Sequence, residues 1–337
     1  MTGHFPERSA MPDPGLSVVV ACYNEQEVLG ELHRRLTEVC RTAGLAYEIV
    51  LIDDGSRDAT WQQMKRLAET DEHVVGLRLS RNHGHQLALT AGLTFCRGER
   101  ILIIDADLQD PPELLPKMIE QMDAGADIVY GQRTKREGET IMKRFTAFVF
   151  YRFIRAMTET HIPMDTGDFR LMSRRALDAL LSMPERHRFI RGMVSWIGFA
   201  QVPIQYERKA RHAGETKYPF RKMFRFAWDA VTAFSIKPLT IAMWIGLSGA
   251  LFSMGVLLWT FIGWLAGKTI TGWASMLGVV SLLGSIQLIV LGVMGQYLGR
   301  LYEQSKGRPL FIVQDVVRSM PATEKGAAKA TVVAPGT

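Results

Sequence analysis

An α/β doubly wound, mostly parallel sheet followed by a two-helix membrane hairpin is what this sequence predicts, from three observations. Short apolar runs alternate with amphipathic helical segments from Leu16 to Gly131, the rhythm that builds a parallel sheet with helices on its faces. Carboxylates collect where several of those runs end, at the sheet edge where open α/β folds bind ligands. Beyond Lys237, two stretches without a charged residue, 238–267 and 269–299, are each about 30 residues long, enough to span the hydrocarbon core of a bilayer.

The elements follow in order. Leu16 to Cys22 (LSVVVAC) reads as a first buried strand, and Asn24 as the cap of a helix with Val28, Leu29, Leu32, Leu36, Val39 and Cys40 on its apolar face. Glu48 to Asp54 (EIVLIDD) is the second strand; Asp58 opens a helix with Trp61, Met64 and Leu67 inward. Val74 to Leu79 is the third, followed after Gly84 by an apolar helix to about Cys96. Ile101 to Ile104 is a fourth strand, Pro111 and Pro112 start a helix reaching about Asp123, and Asp127 to Gly131 is a fifth strand.

Two further segments, Gly138 to Glu159 and Pro219 to Ile236, interleave aromatic and basic residues and read as amphipathic helices in the membrane interface. The expected organisation is a disordered tail over 1–14, an α/β domain over 15–218 and an interfacial helix over 219–237. Two spans follow within 238–299, at about 239–265 and 273–298, then a C-terminal segment over 300–318 and a disordered tail over 319–337. Trp244, Trp259, Trp264 and Trp273 are candidate interfacial anchors. The short connection between the spans carries one Lys, whereas Arg221, Lys222, Arg225 and Lys237, then Arg300, Lys306 and Arg308, flank the other ends. That asymmetry places both termini in the cytoplasm.

The formal charge of +6 is read as contact with anionic lipid rather than nucleic acid, because so many basic residues flank the apolar spans. The N-terminal stretch lacks the apolar core of a signal peptide. Cys22, Cys40 and Cys96 have no metal-binding or CxxC spacing and read as reduced thiols.

Candidate chemistry centres on ILIIDADLQD. Asp105 and Asp107 stand two apart where a strand opens into a loop, and with the amide oxygen of Gln109 they offer hard oxygen ligands for Mg²⁺ or Mn²⁺. A polar turn with Asp as cap is the plainer alternative. Tyr23-Asn24-Glu25 and Asp53-Asp54-Gly55-Ser56 end two other strands, so polar groups from three strand ends meet along one edge. No GxGxxG or GxxxxGK[ST] is present, which argues against dinucleotide and P-loop sites and favours a nucleoside diphosphate held through a metal. His83 and His85 read as packing or polar loop groups, since no third histidine or cysteine supports a metal site.

The stretches VVVACYNEQEVL, IVLIDDGSRDAT, LSRNHGHQLALTAGL, IDADLQDPPEL and VYGQR together resemble the family 2 glycosyltransferases of GT-A fold. With DTGDFRLMSRR, RFIRGMVSWIGF, AGETKY and two C-terminal spans, the likeness narrows to polyprenyl-phosphate glycosyltransferases. It is strongest to the bactoprenol glucosyltransferases and more distant to dolichyl-phosphate mannose synthases. This resemblance covers about residues 15 to 318. It implies that the nucleotide sugar rests on Ala21, Tyr23, Glu25, Ile52, Asp54, Asp105, Ala106 and Arg133. Asp105, Asp107 and Gln109 would hold the metal, Lys143 and Arg144 would receive the lipid phosphate, and Arg211 and Lys217 would close over the phosphates. Asp168 matches the candidate acid-base position; the alternative is a cap or a pair with Arg170 or Arg174. Ala21 departs from the proline common at that place in relatives.

The implied reaction is inverting transfer of a hexose, with UDP-glucose as favoured donor, to polyprenyl phosphate at the cytoplasmic face of a bacterial inner membrane. GDP-mannose, a modified sugar, or a non-catalytic nucleotide-binding scaffold are the alternatives. An acceptor phosphate whose second pKa is near 6 needs no strong base, so Asp168 is expected to position groups rather than remove a proton. A processive synthase would carry a QxxRW motif and more spans, and neither is present. The sequence is compatible with a homo-oligomer.

Overall fold

The computed structural model describes residues 14–134, 166–207, 237–267, 272–319 and 332–333. Two compact units result. Among the described residues, one comprises 14–134, 166–207, 307–319 and 332–333; the other comprises 237–267 and 272–306.

 Among the described residues, the first unit holds the strands and the shorter helices between them, and the second holds two long helices.

In the first unit, β1 (Leu16–Cys22), α1 (Leu29–Ala43), β2 (Tyr47–Asp53), α2 (Thr60–Thr70), β3 (Val74–Leu79), α3 (His85–Phe95) and β4 (Arg100–Ile103) alternate as the sequence predicts. Every residue of β1 and β2 is buried, which is why their centres, Val18–Cys22 and Ile49–Ile52, read as continuous apolar runs rather than as alternating ones. A 3₁₀ turn at Pro112–Leu114 leads into α4 (Leu115–Asp123), and β5 (Ile128–Arg133) follows. Beyond the described break come β6 (Thr166–Ser173), α5 (Arg174–Ser182), α6 (Ile190–Trp196) and β7 (Gln201–Tyr206), none of which the sequence reading assigned.

The sheet order is β7-β5-β6-β4-β1-β2-β3-β8-β9, where β8 is Ile312–Arg318 and β9 is Val332–Val333. Strands β4, β1, β2 and β3 are mutually parallel, and β6 and β8 run antiparallel to their neighbours on either side of that block. Chain order reverses at β1, with β2 on one side and β4 on the other, so the crevice beyond the carboxyl ends of β1 and β4 is the topological switch point.

One correction concerns Asn24. It does not cap α1: the cap residue is Val28, which makes no side-chain capping bond, and Asn24 sits in the left-handed region at φ 56°. Its side chain is used elsewhere, in the loop described below.

The segment after the second long helix does not stay apart from the sheet. Strand β8 pairs with β3, with Phe311 and Val313 buried in the core. A Cβ on Gly76 of β3 would lie 2.6 Å from Val317 Cγ2, so only glycine lets β8 pass at this distance.

In the second unit, α7 (Lys237–Leu265) and α8 (Trp273–Ser305) pack on each other. Both are long and apolar enough to cross a membrane. Their apolar side chains face outward, with Trp259 75% and Leu288 71% exposed, a distribution suited to lipid rather than to water. The amphipathic segments 138–159 and 219–236 lie outside the described residues.

Candidate active site

The loops after β1 and β2 are clasped by reciprocal bonds. Asn24 N–H donates to Ser56 Oγ at 2.9 Å, and Arg57 N–H donates to Asn24 Oδ1 at 2.9 Å. Glu25 N–H donates to Thr60 Oγ1 at 2.9 Å, while Ala59 N–H donates to Gln26 Oε1 at 3.0 Å. Each loop therefore satisfies backbone groups of the other, which fixes Tyr23 at the rim, 42% exposed. Ala21 stands opposite Ile52 in the β1–β2 register, and both are buried.

Asp54 joins this clasp to the next element. Its Oδ1 accepts from His83 N–H at 2.7 Å and its Oδ2 from Gly84 N–H at 2.9 Å. Burial raises its carboxyl above the ordinary range, and the two amide bonds oppose that rise. Gly55, at φ 71°, makes the turn; a Cβ there would meet the Arg81 and Asn82 backbone at 2.7 Å. Because Gly84 precedes α3, the Asp54 bonds set where His85 and Gln86 emerge.

At the end of β4 the chain turns sharply, with Leu108 at φ 58° and Gln109 N–H donating to Asp107 Oδ1 at 3.2 Å. Ala106 and Gln109 are buried, and the Asp105 side chain retains 25% exposure. Burial, reinforced by the charges of Asp168, Asp110 and Asp107, pushes the Asp105 carboxyl up to about 6, with His85 acting in opposition. Asp110 is fully buried; the Tyr206 hydroxyl donates to its Oδ1, and Arg133 NH2 lies 3.7 Å from the same oxygen. Arg133 Nε also donates to the Tyr206 hydroxyl at 3.3 Å, so Arg133 is held at the end of β5 from two sides.

Asp168 arrives through the antiparallel strand. The β4–β6 ladder ends with Ile103 opposite Arg170, and continuing that register by two residues brings Asp168 opposite Asp105. Arg191 Nε donates to Asp168 Oδ1 at 2.8 Å and its NH2 to Oδ2 at 3.4 Å. Gln86 Nε2 donates to Oδ2 at 3.2 Å, His85 Nε2 lies 3.1 Å from Oδ2, and Arg170 NH2 lies 4.0 Å from Oδ1. Burial pushes this carboxyl upward, but the His85 bond and the Arg191 charge prevail and hold it far below the carboxylate range. Asp168 is thus a buried anion whose partners are Arg170 and Arg191, not Arg174.

His85, read from the sequence as a packing or polar loop group, begins α3. Its ring stands between two carboxylates, 3.5 Å from Asp105 Oδ1 and 3.1 Å from Asp168 Oδ2. One ligand atom from each of His85, Asp105 and Asp168 lies within 4.8 Å of the others, a spacing that would suit a metal ion. Asp105 therefore belongs both to this group and to the predicted set with Asp107 and Gln109.

Tyr23, Glu25, Asp54, Asp105, Ala106, Asp107, Gln109 and Arg133 lie at or just past the strand ends expected of them, whereas Asp168 lies on β6, which the sequence reading did not assign. Lys143, Arg144, Arg211 and Lys217 lie outside the described residues. His85, Gln86, Arg191, Asp110 and Tyr206 join the site without having been singled out for it. His85 and Gln86 in LSRNHGHQLALTAGL, Asp110 in IDADLQDPPEL and Arg191 in RFIRGMVSWIGF all lie in stretches that carry the family resemblance, whereas Tyr206 does not.

Comparison with known proteins gives one consistent result. The model of the family described as glycosyl transferase family 2 matches residues 17–181. The chain is 45% identical over 302 residues to the uncharacterized glycosyltransferase YkcC of Bacillus subtilis, covering 88% of this chain and 93% of that protein. It is 41% identical over 307 residues to the uncharacterized glycosyltransferase sll0501 of Synechocystis, covering 89% and 95%. To the bactoprenol glucosyl transferase of Shigella phage SfV it is 38% identical over 301 residues, covering 89% and 98%.

Proposed function

The chain belongs to glycosyl transferase family 2, and from that premise we propose that it transfers a hexose, glucose carried on UDP, to the phosphate of a membrane-held polyprenol. The observation that carries the reading is the convergence of Tyr23, Asp54 and Asp105 at the carboxyl ends of three adjacent parallel strands. Such a crevice suits a nucleoside diphosphate sugar. Tyr23 offers a ring for the base, and Asp54 keeps lone pairs for a base N–H because each oxygen accepts only one described amide. The lipid acceptor is supported by α7 and α8, since a prenyl tail stays in the bilayer, and by the name of the phage relative.

Asp105 fits a divalent cation, because burial and neighbouring carboxylates leave it with an excess of negative surroundings that Mg²⁺ or Mn²⁺ would relieve. Asp105, Asp107 and Gln109 would hold the ion, which when bound supplies neutralisation of charge on the donor diphosphate.

An oxygen of the acceptor phosphate attacks the anomeric carbon as the carbon–oxygen bond to the diphosphate breaks. The bonding pair departs with the nucleoside diphosphate, and the configuration inverts. Since the acceptor's second pKa is about 6, it is mostly a dianion at neutral pH and no side chain has to take a proton from it. Asp168 fixes His85 and Arg191 around Asp105. Arg133, Arg211 and Lys217 are assigned to the donor phosphates and leaving charge, and Lys143 and Arg144 to the acceptor phosphate. In this reading the protein sits in a bacterial inner membrane with the α/β unit and both termini cytoplasmic.

The test is to incubate detergent-solubilised protein with Mg²⁺ or Mn²⁺, polyprenyl phosphate and separate labelled donors, UDP-glucose and GDP-mannose among them. Lipid-linked glucose is the expected product. Transfer of mannose alone would reassign the donor, and no lipid-linked product from any donor would overturn the reading.

A further inference from the structure

Asp53, beside the nucleotide-facing Asp54, is used by nothing in the mechanism above, yet it is inaccessible to solvent. Its Oδ1 accepts from Ser56 N–H at 3.0 Å, while its Oδ2 is buried without a hydrogen bond. A buried carboxylate in that state requires a compensating charge. Arg78 of β3 supplies it, with Nε 3.6 Å from Asp53 Oδ2. The same guanidinium reaches across to the returning strand, where NH1 lies 3.8 Å from Asp315 Oδ2, and it rests over the Trp61 ring at 5.8 Å.

The placement is a consequence of register. Arg78 stands opposite Asp315 in the β3–β8 ladder and opposite Asp53 in the β2–β3 ladder, so one side chain touches a carboxylate on each flanking strand. The ladder shifts register immediately afterwards, between Arg78 and Leu79, and Ser80 N–H donates to Ile312 O at 2.9 Å. Buried Phe311 and Val313 anchor β8, which leaves Arg78 between two fixed strands. From Asp53 the connection continues through Ser56, whose Oγ accepts from Asn24 N–H next to Tyr23.

We propose that Arg78 is a positioning residue of the donor site, and that β8, the strand following the second long apolar helix, holds Arg78 on Asp53. The C-terminal strand thereby completes the loop clasp that presents Tyr23. This rests on the assignment of Tyr23 and Asp54 to the nucleotide, and it adds a dependence of that site on a segment distant in sequence. Without Arg78, the buried Asp53 Oδ2 has neither a hydrogen bond nor a facing cation, and reaching water instead loosens the Ser56 turn.

The experiment titrates UDP and GDP separately into full-length, detergent-solubilised protein by calorimetry, and follows amide exchange over residues 54–57. Arg78→Met should weaken the nucleotide by about tenfold and speed exchange, the scale of a coupled buried contact. Arg78→Lys should regain part of the affinity, and Asp53→Asn combined with Arg78→Met should bind better than Arg78→Met alone because the orphaned charge is gone. Asp315→Asn, a change at a half-exposed side chain, should speed exchange at 54–57 with a loss of about twofold to threefold in affinity. That variant keeps the test open if Arg78→Met does not fold. Wild type binding neither nucleotide would overturn the donor-site reading and this one with it. Wild-type binding with affinity and exchange unchanged in folded Arg78→Met or in Asp315→Asn would overturn this inference alone.

Discussion

Arg191 donates its Nε hydrogen to Asp168 Oδ1 at 2.8 Å, which makes Asp168 a buried carboxylate already paired with a cation. With its carboxyl held far below the usual range, Asp168 is ionised throughout the neutral region and is a poor proton acceptor. Asp168→Asn should cut turnover by about 100-fold by releasing Arg191 and His85, the scale of a lost orienting contact. The pH–rate profile of the remaining activity should keep the wild-type shape. Loss of a limb between about pH 5 and 8 in the variant would assign proton transfer to Asp168 after all.

The same depressed pKa makes a stability prediction. A carboxylate lowered on folding stabilises fully above its unfolded value of about 3.9, and that contribution is lost only as pH falls through the lower folded value. Wild type should therefore keep the Asp168 contribution down to about pH 4. Asp168→Ala, which orphans the buried Arg170, should cost about 3–5 kcal/mol at pH 7, read from denaturation of the α/β unit.

Asp105 has the opposite sign. Its carboxyl is raised to about 6 on folding, so the folded protein without metal binds a proton more tightly than the unfolded chain and loses stability as pH rises from about 4 through 6. A bound divalent cation competes with that proton. Mn²⁺ affinity measured by calorimetry should be level above about pH 7 and fall by about tenfold per unit well below 6. A flat profile across pH 5 to 7.5 would remove Asp105 from the ligand set.

Much of this site was legible because its residues sit where the local signal is strongest. Tyr23, Asp54 and Asp105 each lie just past a largely apolar strand, and alternation with α1, α2 and α3 placed those ends on one edge. The half contributed by β6 was not. Its TGDFRLMS mixes Asp168 and Arg170 into the core, and a buried ion pair erases the apolar pattern that marks a strand. Strand β8 was hidden for a different reason: IVQDVVR follows a long apolar helix, and only long-range pairing with β3 tells it from a polar tail. Asn24 misled because Asn favours both helix caps and left-handed turns, and here the clasp with Ser56 and Arg57 decides.

Tyr23 stands at the rim, 42% exposed, and outside the buried core, so its removal should separate binding from stability. Tyr23→Ala should weaken the nucleotide by about tenfold, the low end of one base–aromatic stack, while leaving the denaturation midpoint within experimental scatter. Tyr23→Phe should bind as wild type does, since the ring is what acts. A Tyr23→Ala variant with unchanged affinity would move the base elsewhere along the edge.

The long helices make the last prediction, and it rests on where exposed leucines lie along α8. Leu288 is near the middle of Trp273–Ser305 and 71% exposed, whereas Leu301 is close to the end and next to Arg300. In a bilayer, arginine at the centre of a span costs about 2.5–3.5 kcal/mol, and near the end the long side chain reaches the headgroups and the cost falls away. In water, both are exposed positions and either arginine would be tolerated. Membrane-inserted protein, measured by alkaline extraction of vesicles, should therefore drop sharply for Leu288→Arg and hardly change for Leu301→Arg. Equal retention of the two variants would mean that the outward apolar faces of α7 and α8 meet another protein rather than lipid.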